Sequence, residues 1–200
     1  MVTQLTLFSQ DTKNNFRSNV RSFRPAQKLN LRPYQKKVIA EVYDLIRQGW
    51  KSPLIYAPTG AGKTLIASKI TKDALSRDRR ILFLIHRDPL VMQTVESLAE
   101  HGIDKELIGF IKAGYPHATD NHKVIVASIQ SIARRDFPKD VGLIIVDEAH
   151  TTSFFSTYKK IKETYLHDGR TGAIAIGLSA SPWRNKSKEY LGQHFDSIAI

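Results

Sequence analysis

Two stretches of this 200-residue chain hold residues whose types and order suit phosphate chemistry. The first is Ala57-Pro58-Thr59-Gly60-Ala61-Gly62-Lys63-Thr64. An apolar run ends there, a glycine-containing loop follows, and a helical pattern starts at Lys63. That order aims several backbone N–H groups and a helix N-terminus at one small volume, which is a setting for phosphate groups. Gly60 and Gly62 allow the tight turn and a close backbone approach, with Thr59 and Ala61 supplying the intervening peptide groups. Lys63 reaches β- and γ-phosphates, and the Thr64 hydroxyl can ligate magnesium. The stretch has Ala57 where the strict form of this pattern has glycine.

The second is Leu143-Ile144-Ile145-Val146-Asp147-Glu148-Ala149-His150. An apolar strand ending in two acids places them at the carboxyl edge of a parallel sheet, where open α/β sheets bind ligands. Asp147 is suited to holding magnesium, and Glu148 to orienting or deprotonating an attacking water. Alone, an Asp-Glu pair after a strand more often caps a helix. Beside a phosphate loop, the pair and Lys63 make a catalytic set for phosphoryl transfer.

Such a set needs a scaffold of buried strands, and the remaining sequence supplies one. Apolar runs at Pro53 to Ala57, Ile81 to His86, Val124 to Ser128, Leu143 to Asp147 and Ala173 to Ser179 predict strands buried on both faces, because their apolar residues are consecutive rather than alternating. Helical patterns lie between them: Tyr34 to Gln48, Lys63 to Ser76, Asp88 to Glu100 with Asp88 as N-cap and Pro89 in the first turn, and Ser156 to Tyr165. Alternating strands and helices predict an α/β fold, a mostly parallel sheet sandwiched by helices. Residues 1–30 stand apart. They carry Lys13, Arg17, Arg21, Arg24 and Lys28 against Asp11 alone, without sustained periodicity, and are expected to form a flexible basic arm ahead of one domain over 31–200.

Composition narrows the partners. Thirty Lys and Arg against nineteen Asp and Glu give a formal charge of +11, which favours polyanions such as nucleic acid. The absence of cysteine excludes a disulfide framework and a thiolate metal site, and fits a reducing, cytoplasmic setting. The apolar runs are far shorter than the roughly 20 residues of a bilayer-spanning helix, and the N-terminus lacks the pattern of a secretion signal. No membrane association is expected.

Taken in order, these stretches resemble the first RecA-like domain of superfamily-two DEAD/DEAH-box helicases and translocases, in the branch that contains type III restriction subunits and XPB-type repair translocases. The resemblance runs from about Leu29 to the C-terminus, and Asp147-Glu148-Ala149-His150 spells the DEAH form of its second motif. It implies ATP and Mg²⁺ as cofactors. Leu31-Arg32-Pro33-Tyr34-Gln35 resembles the family's adenine-recognising segment, so Gln35 and Arg32 are implied to contact the base; a Gln amide can pair bidentately with adenine. Ile85-His86-Arg87 and Val126-Ala127-Ser128-Ile129-Gln130-Ser131-Ile132 resemble the motifs that grip a sugar-phosphate backbone in relatives, with Gly109 to Gly114 similar to a weaker motif between them. The implied phosphate contacts are Arg87, Ser128, Gln130 and Ser131. As alternatives, His86 and Arg87 read as a solvated strand end and Ser128 as a helix cap. Gly177-Leu178-Ser179-Ala180-Ser181-Pro182-Trp183-Arg184 resembles the motif linking the γ-phosphate site to nucleic-acid movement, so Ser179 and Ser181 are implied to couple with His150. The serines stand where relatives often have threonine, and Trp183 reads as a core residue.

The resemblance also implies a second RecA-like domain in cis, whose arginines stabilise transition-state charge. No such motif follows Arg184, and Phe195 to Ile200 resembles the passage towards that domain. The chain alone is therefore expected to turn over ATP weakly. DNA is favoured over RNA as the nucleic acid. In the arm, Gln4-Leu5-Thr6-Leu7-Phe8 resembles the Gln-Leu-x-Leu-Phe peptide with which bacterial proteins dock onto the replication sliding clamp; a terminal edge strand would read the same. A bacterial owner would place the protein at the nucleoid. Competing readings are the motor part of a restriction endonuclease, a nucleic-acid-binding module with a weakly active ATP site, and a phosphotransferase of the same phosphate-loop type.

Overall fold

The computed structural model describes residues 29–116, 118–119, 121–151, 155–167, 172–181 and 191–200. Among the described residues, eight strands form one sheet: β1 (Pro53–Tyr56), β2 (Arg80–Ile85), β3 (Ile108–Lys112), β4 (Tyr115–Pro116), β5 (Val124–Ser128), β6 (Val141–Val146), β7 (Ile174–Ser179) and β8 (Ser197–Ala199). Their spatial order is β4-β3-β5-β2-β6-β7-β1-β8. Seven strands run parallel, and only the two-residue β4 pairs antiparallel, against β3. The architecture is the expected helix-flanked α/β sheet of a RecA-like domain.

Strand pleating divides the core into two layers, because successive side chains leave a strand on opposite faces. Ile81, Phe83 and Ile85 of β2 join Val124, Val126, Ile145, Ile176 and Leu178 on one face. This face is covered by α1 (Pro33–Arg47), α2 (Lys63–Leu75) and α3 (Asp88–Glu100), through Val38, Val42, Ile66, Ile70, Val91 and Leu98. Leu82, Leu84, Ile125, Ile144 and Val146 point the other way. They meet Tyr158 and Ile161 of α5 (Phe155–Lys162), and Tyr165 in the wider-wound π-type turn over Glu163–His167. Since both faces are covered, the central strands carry apolar residues on consecutive positions, with polar residues only at strand ends. None of the helices among the described residues is long and apolar enough to cross a membrane.

Three strands were not expected from the sequence. β3 is broken by Gly109 and bears Lys112 at its end, so its apolar run is short. β4 has two residues. β8 covers Ser197–Ala199, inside the segment that resembles a passage between domains; it pairs with β1, Leu54 opposite Ile198. Asp196 fixes its start by accepting from the N–H groups of Lys51 and Ser52, both at 2.8 Å. A second correction concerns α3: its N-cap is Arg87, in extended conformation, and Asp88 is the first helical residue. The arm, including Gln4 to Phe8, and the stretch from Pro182 to Arg184 with Trp183, lie outside the described residues.

Candidate active site

The phosphate loop is stretched between two anchors. At its start, the Ala57 N–H donates to the Ser179 carbonyl at 2.9 Å, which carries the β1 to β7 ladder one residue beyond the strand. At its end, Gly62 caps α2 at φ 76°, ψ 42°, and its carbonyl accepts from Leu65 and Ile66 at 3.0 and 3.1 Å. A helix start leaves its leading N–H groups without intrahelical acceptors, so the Lys63 and Thr64 amides face the loop's interior. Gly60, at φ 81°, has open space where a side chain would stand.

The expected base-recognising segment is built into this loop. The Gln35 amide nitrogen and the Tyr34 hydroxyl both donate to the Ala61 carbonyl at 2.9 Å, while the Gln35 amide oxygen accepts from the Arg32 N–H at 2.9 Å. Gln35 is 2% exposed. One amide hydrogen and one oxygen lone pair remain for a base. The close approach requires glycine at 62, because a Cβ there would lie 2.5 Å from the Gln35 nitrogen. Arg32 is exposed beside them. Tyr34 was missed in the sequence, although its place in the same first turn of α1 as Gln35 was the available signal.

The acids stand where the sheet's carboxyl edge places them. β6 ends at Val146, and the Asp147 and Ala149 N–H groups continue its ladders to the carbonyls of Leu84 and Leu178, both at 2.9 Å. Glu148, between them, takes φ 50°, a left-handed conformation unfavourable for a side-chain-bearing residue and typical of functional sites. That turn sends the Glu148 carboxylate to within 3.7 Å of the Lys63 ammonium and 3.4 Å of His150 Nδ1. Burial pushes the Asp147 carboxyl up to about 6, and the neighbouring Glu148 adds to this against the Glu148 N–H bond and Lys63. Two adjacent carboxylates facing one ammonium leave excess negative charge, an environment that fits a divalent cation. Thr64 is exposed in the first turn of α2, so Asp147 and Thr64 would hold such a cation, with phosphate and water oxygens completing its shell.

Behind the acids lie the residues expected from the resemblance to couple with His150. His150 Nδ1 is 2.9 Å from the Ser179 hydroxyl, which is fully buried. That hydroxyl donates to the Ser181 carbonyl at 2.5 Å and accepts from the Ser181 N–H at 3.1 Å. The structure thus brings Ser179 and His150 together through side chains, and Ser181 through its backbone. His86, at the end of β2, belongs to the same cluster: burial, then Arg87 and His150, hold its ring below the usual histidine range, against the pull of Glu148.

The residues implied to grip nucleic acid divide into two kinds. Arg87 and Gln130 are exposed, whereas the side chains of Ser128 and Ser131 are buried. Both serine hydroxyls donate to Asp88 Oδ1, Ser131 at 2.9 Å. Ser128 also caps α4 (Ile129–Ile132) by accepting from the Ser131 N–H at 3.2 Å. Ser131 helps to wall a recess of about 520 Å³, with Asp88, Ala113, Gly114, Gln130, Arg134 and Arg135.

The family described as "Type III restriction enzyme, res subunit" matches residues 28–184. The "Putative ATP-dependent helicase IRC3" of Saccharomyces cerevisiae is 33% identical over 84% of this chain and 26% of its own length. The ATP-dependent RNA helicase DHX58 of Mus musculus is 31% identical over 77% of the chain and 25% of its own length. Among solved structures, the Pyrococcus furiosus Hef helicase domain superposes with a TM-score of 0.66 at 28% identity, covering 84% of this chain and 37% of that one. The UvsW helicase from bacteriophage T4, at 19% identity, shares the fold with a TM-score of 0.67 over 94% of the chain and 66% of its own. The chain spans about a quarter of the length of the curated relatives it matches.

Proposed function

Because this chain belongs to the type III restriction enzyme res-subunit family and is a helicase-like motor domain of superfamily two, we propose that it binds Mg·ATP and acts as the first half of an ATP-driven nucleic-acid helicase or translocase. The observation that carries this reading is the convergence of Lys63, Glu148, His150 and Ser179 at one sheet edge. Mg·ATP supplies the scissile phosphoanhydride and the charge that polarises it. The chain's own residues do the rest. The loop from Thr59 to Thr64 cradles phosphate oxygens with its N–H groups, and Lys63 exchanges its contact with Glu148 for the phosphates. Glu148, released from the ammonium, orients a water and accepts its proton at a carboxylate oxygen. His150 senses that change of partner and transmits it through Ser179 to the backbone of Ser181. Gln35 and Arg32 read the base.

A second RecA-like domain in cis completes the site in this reading, because arginine groups donated across such a cleft contribute about 10³ to 10⁵ in rate. The charge of +11 and the exposed Arg87 support nucleic acid as the partner, and DNA is the preferred form. The test is ATP hydrolysis by the chain alone and with duplex DNA, single-stranded DNA or duplex RNA. Weak turnover with nucleotide binding intact, raised most by DNA, is expected. Robust turnover without any nucleic acid would refute the half-motor reading.

Two narrower readings attach to it. The family's description favours, as second choice, the motor part of a restriction endonuclease. For the basic arm over residues 1–30, we propose docking on a bacterial sliding clamp through Gln4-Leu5-Thr6-Leu7-Phe8, in the cytoplasm at the nucleoid. Titration of the whole chain against a clamp should saturate, and Leu7→Ala with Phe8→Ala should abolish saturation.

A further inference from the structure

The sheet edge beside the nucleotide site is assembled around one carboxylate oxygen. Asp88 Oδ1 accepts from the hydroxyl of Ser128, from that of Ser131 at 2.9 Å and from the Ala113 N–H at 3.3 Å. These donors come from three separate segments: the end of β5, the short helix α4, and the turn between β3 and β4, with Gly114 at φ 75°. Asp88 itself belongs to a fourth, the first turn of α3, where a negative charge is favoured by the helix dipole. Burial alone would raise its pKa, but the three hydrogen bonds and nearby Lys112 prevail and hold the carboxyl below its usual range. The group is therefore an anion at neutral pH. A negative oxygen can serve three donors, whereas a neutral amide oxygen in its place offers weaker bonds.

An anion at this place is otherwise out of keeping with its surroundings. Arg134, Arg135 and Gln130 wall the adjoining recess of about 520 Å³, and Arg87 precedes Asp88 in the chain. On a surface that meets phosphates, a carboxylate weakens binding by repulsion. Its hydrogen bonds supply the reason for its presence.

We propose that Asp88 is a positioning residue. It latches the β3–β4 turn, the β5 end and α4 onto the start of α3, so that the exposed Gln130, Arg134 and Arg135 present a fixed track for a sugar-phosphate backbone. Ser128 and Ser131 are then the latch's donors and not phosphate contacts. This inference rests on the nucleic-acid reading of the same face.

The sign of one substitution separates the latch from simple electrostatics. Removing a negative charge from a phosphate-binding face should tighten binding if repulsion were its only effect. The latch predicts that Asp88→Asn weakens binding of a fluorescein-labelled duplex DNA to the full chain by about tenfold, the scale of losing bonds to a charged group. Ser128→Ala, which keeps the charge and removes one donor, should weaken it less. Nucleotide binding at Lys63, across the sheet edge, reports that each variant is folded. In parallel, amide hydrogen exchange at Ala113 and Ser131 should accelerate in Asp88→Asn. Tighter DNA binding, or unchanged exchange at both amides, would overturn the proposal. Absence of DNA binding by the unaltered chain would instead sink the nucleic-acid reading, and faster exchange in Asp88→Asn would then still leave the latch standing.

Discussion

The two ends of the same sheet edge are built by different means. The nucleotide end is made of contiguous sequence: a loop of eight residues that leads into the N-terminus of α2, and four residues after β6 that carry acid, acid and histidine. The end proposed to meet nucleic acid is made of single groups from four segments, and the tertiary structure has already engaged two of the side chains that the family resemblance implied. Ser128 and Ser131 give their hydroxyls to Asp88, as Ser179 gives its hydroxyl to the Ser181 carbonyl while its oxygen meets His150 Nδ1. In these three cases a small hydroxyl beside a motif belongs to the mounting. The contrast predicts that changes at the first end act on chemistry by large factors, while changes at the second act on binding by small, salt-sensitive ones.

The largest effect is expected from Glu148→Gln. With the proton acceptor gone and its shape retained, ATP turnover should fall by about 10² to 10⁴, while equilibrium nucleotide binding persists; single-turnover assays read the first and a fluorescent nucleotide the second. Gly62→Ala comes next. The added methyl would meet the Gln35 nitrogen at 2.5 Å in a backbone at φ 76°, so nucleotide affinity should drop by about 1–3 kcal/mol, measured by calorimetry. At the other end, replacing Arg134 and Arg135 together by alanine should leave turnover without nucleic acid unchanged. It should lower the slope of log affinity against log salt by roughly 0.9 for each phosphate no longer neutralised. The smallest effect belongs to Gln130→Ala, which should weaken DNA binding by about 0.5–1.5 kcal/mol. If the arginine pair leaves the slope untouched, the second end is not a phosphate track and the comparison breaks there.

The legibility of the sequence follows the same division. Five buried strands were readable because consecutive apolar residues demand cover on both faces, and the meeting of Lys63 with Glu148 was readable because each follows the carboxyl end of such a strand. β3 and β8 were not, since one contains a glycine and a terminal lysine and the other has three residues whose pairing with β1 depends on Asp196 meeting the N–H groups of Lys51 and Ser52, far away in sequence. The role of Asp88 was hidden for a related reason. In sequence it stands before a proline at a helix start, which reads as a cap, whereas its donors lie 25 to 43 residues further on. Gln35 was legible and Tyr34 was not, because their shared grip on the Ala61 carbonyl depends on how α1 packs beside the loop.

The central claim is that the loop from Ala57 to Thr64, with Asp147, forms a Mg·ATP site. Titrating the chain with a fluorescent ATP analogue, with and without magnesium, and repeating the titration with Lys63→Ala tests it most directly. Saturable, magnesium-dependent binding that Lys63→Ala abolishes is the predicted result. Binding indifferent to both magnesium and Lys63, or no binding by the unaltered chain, would contradict the account.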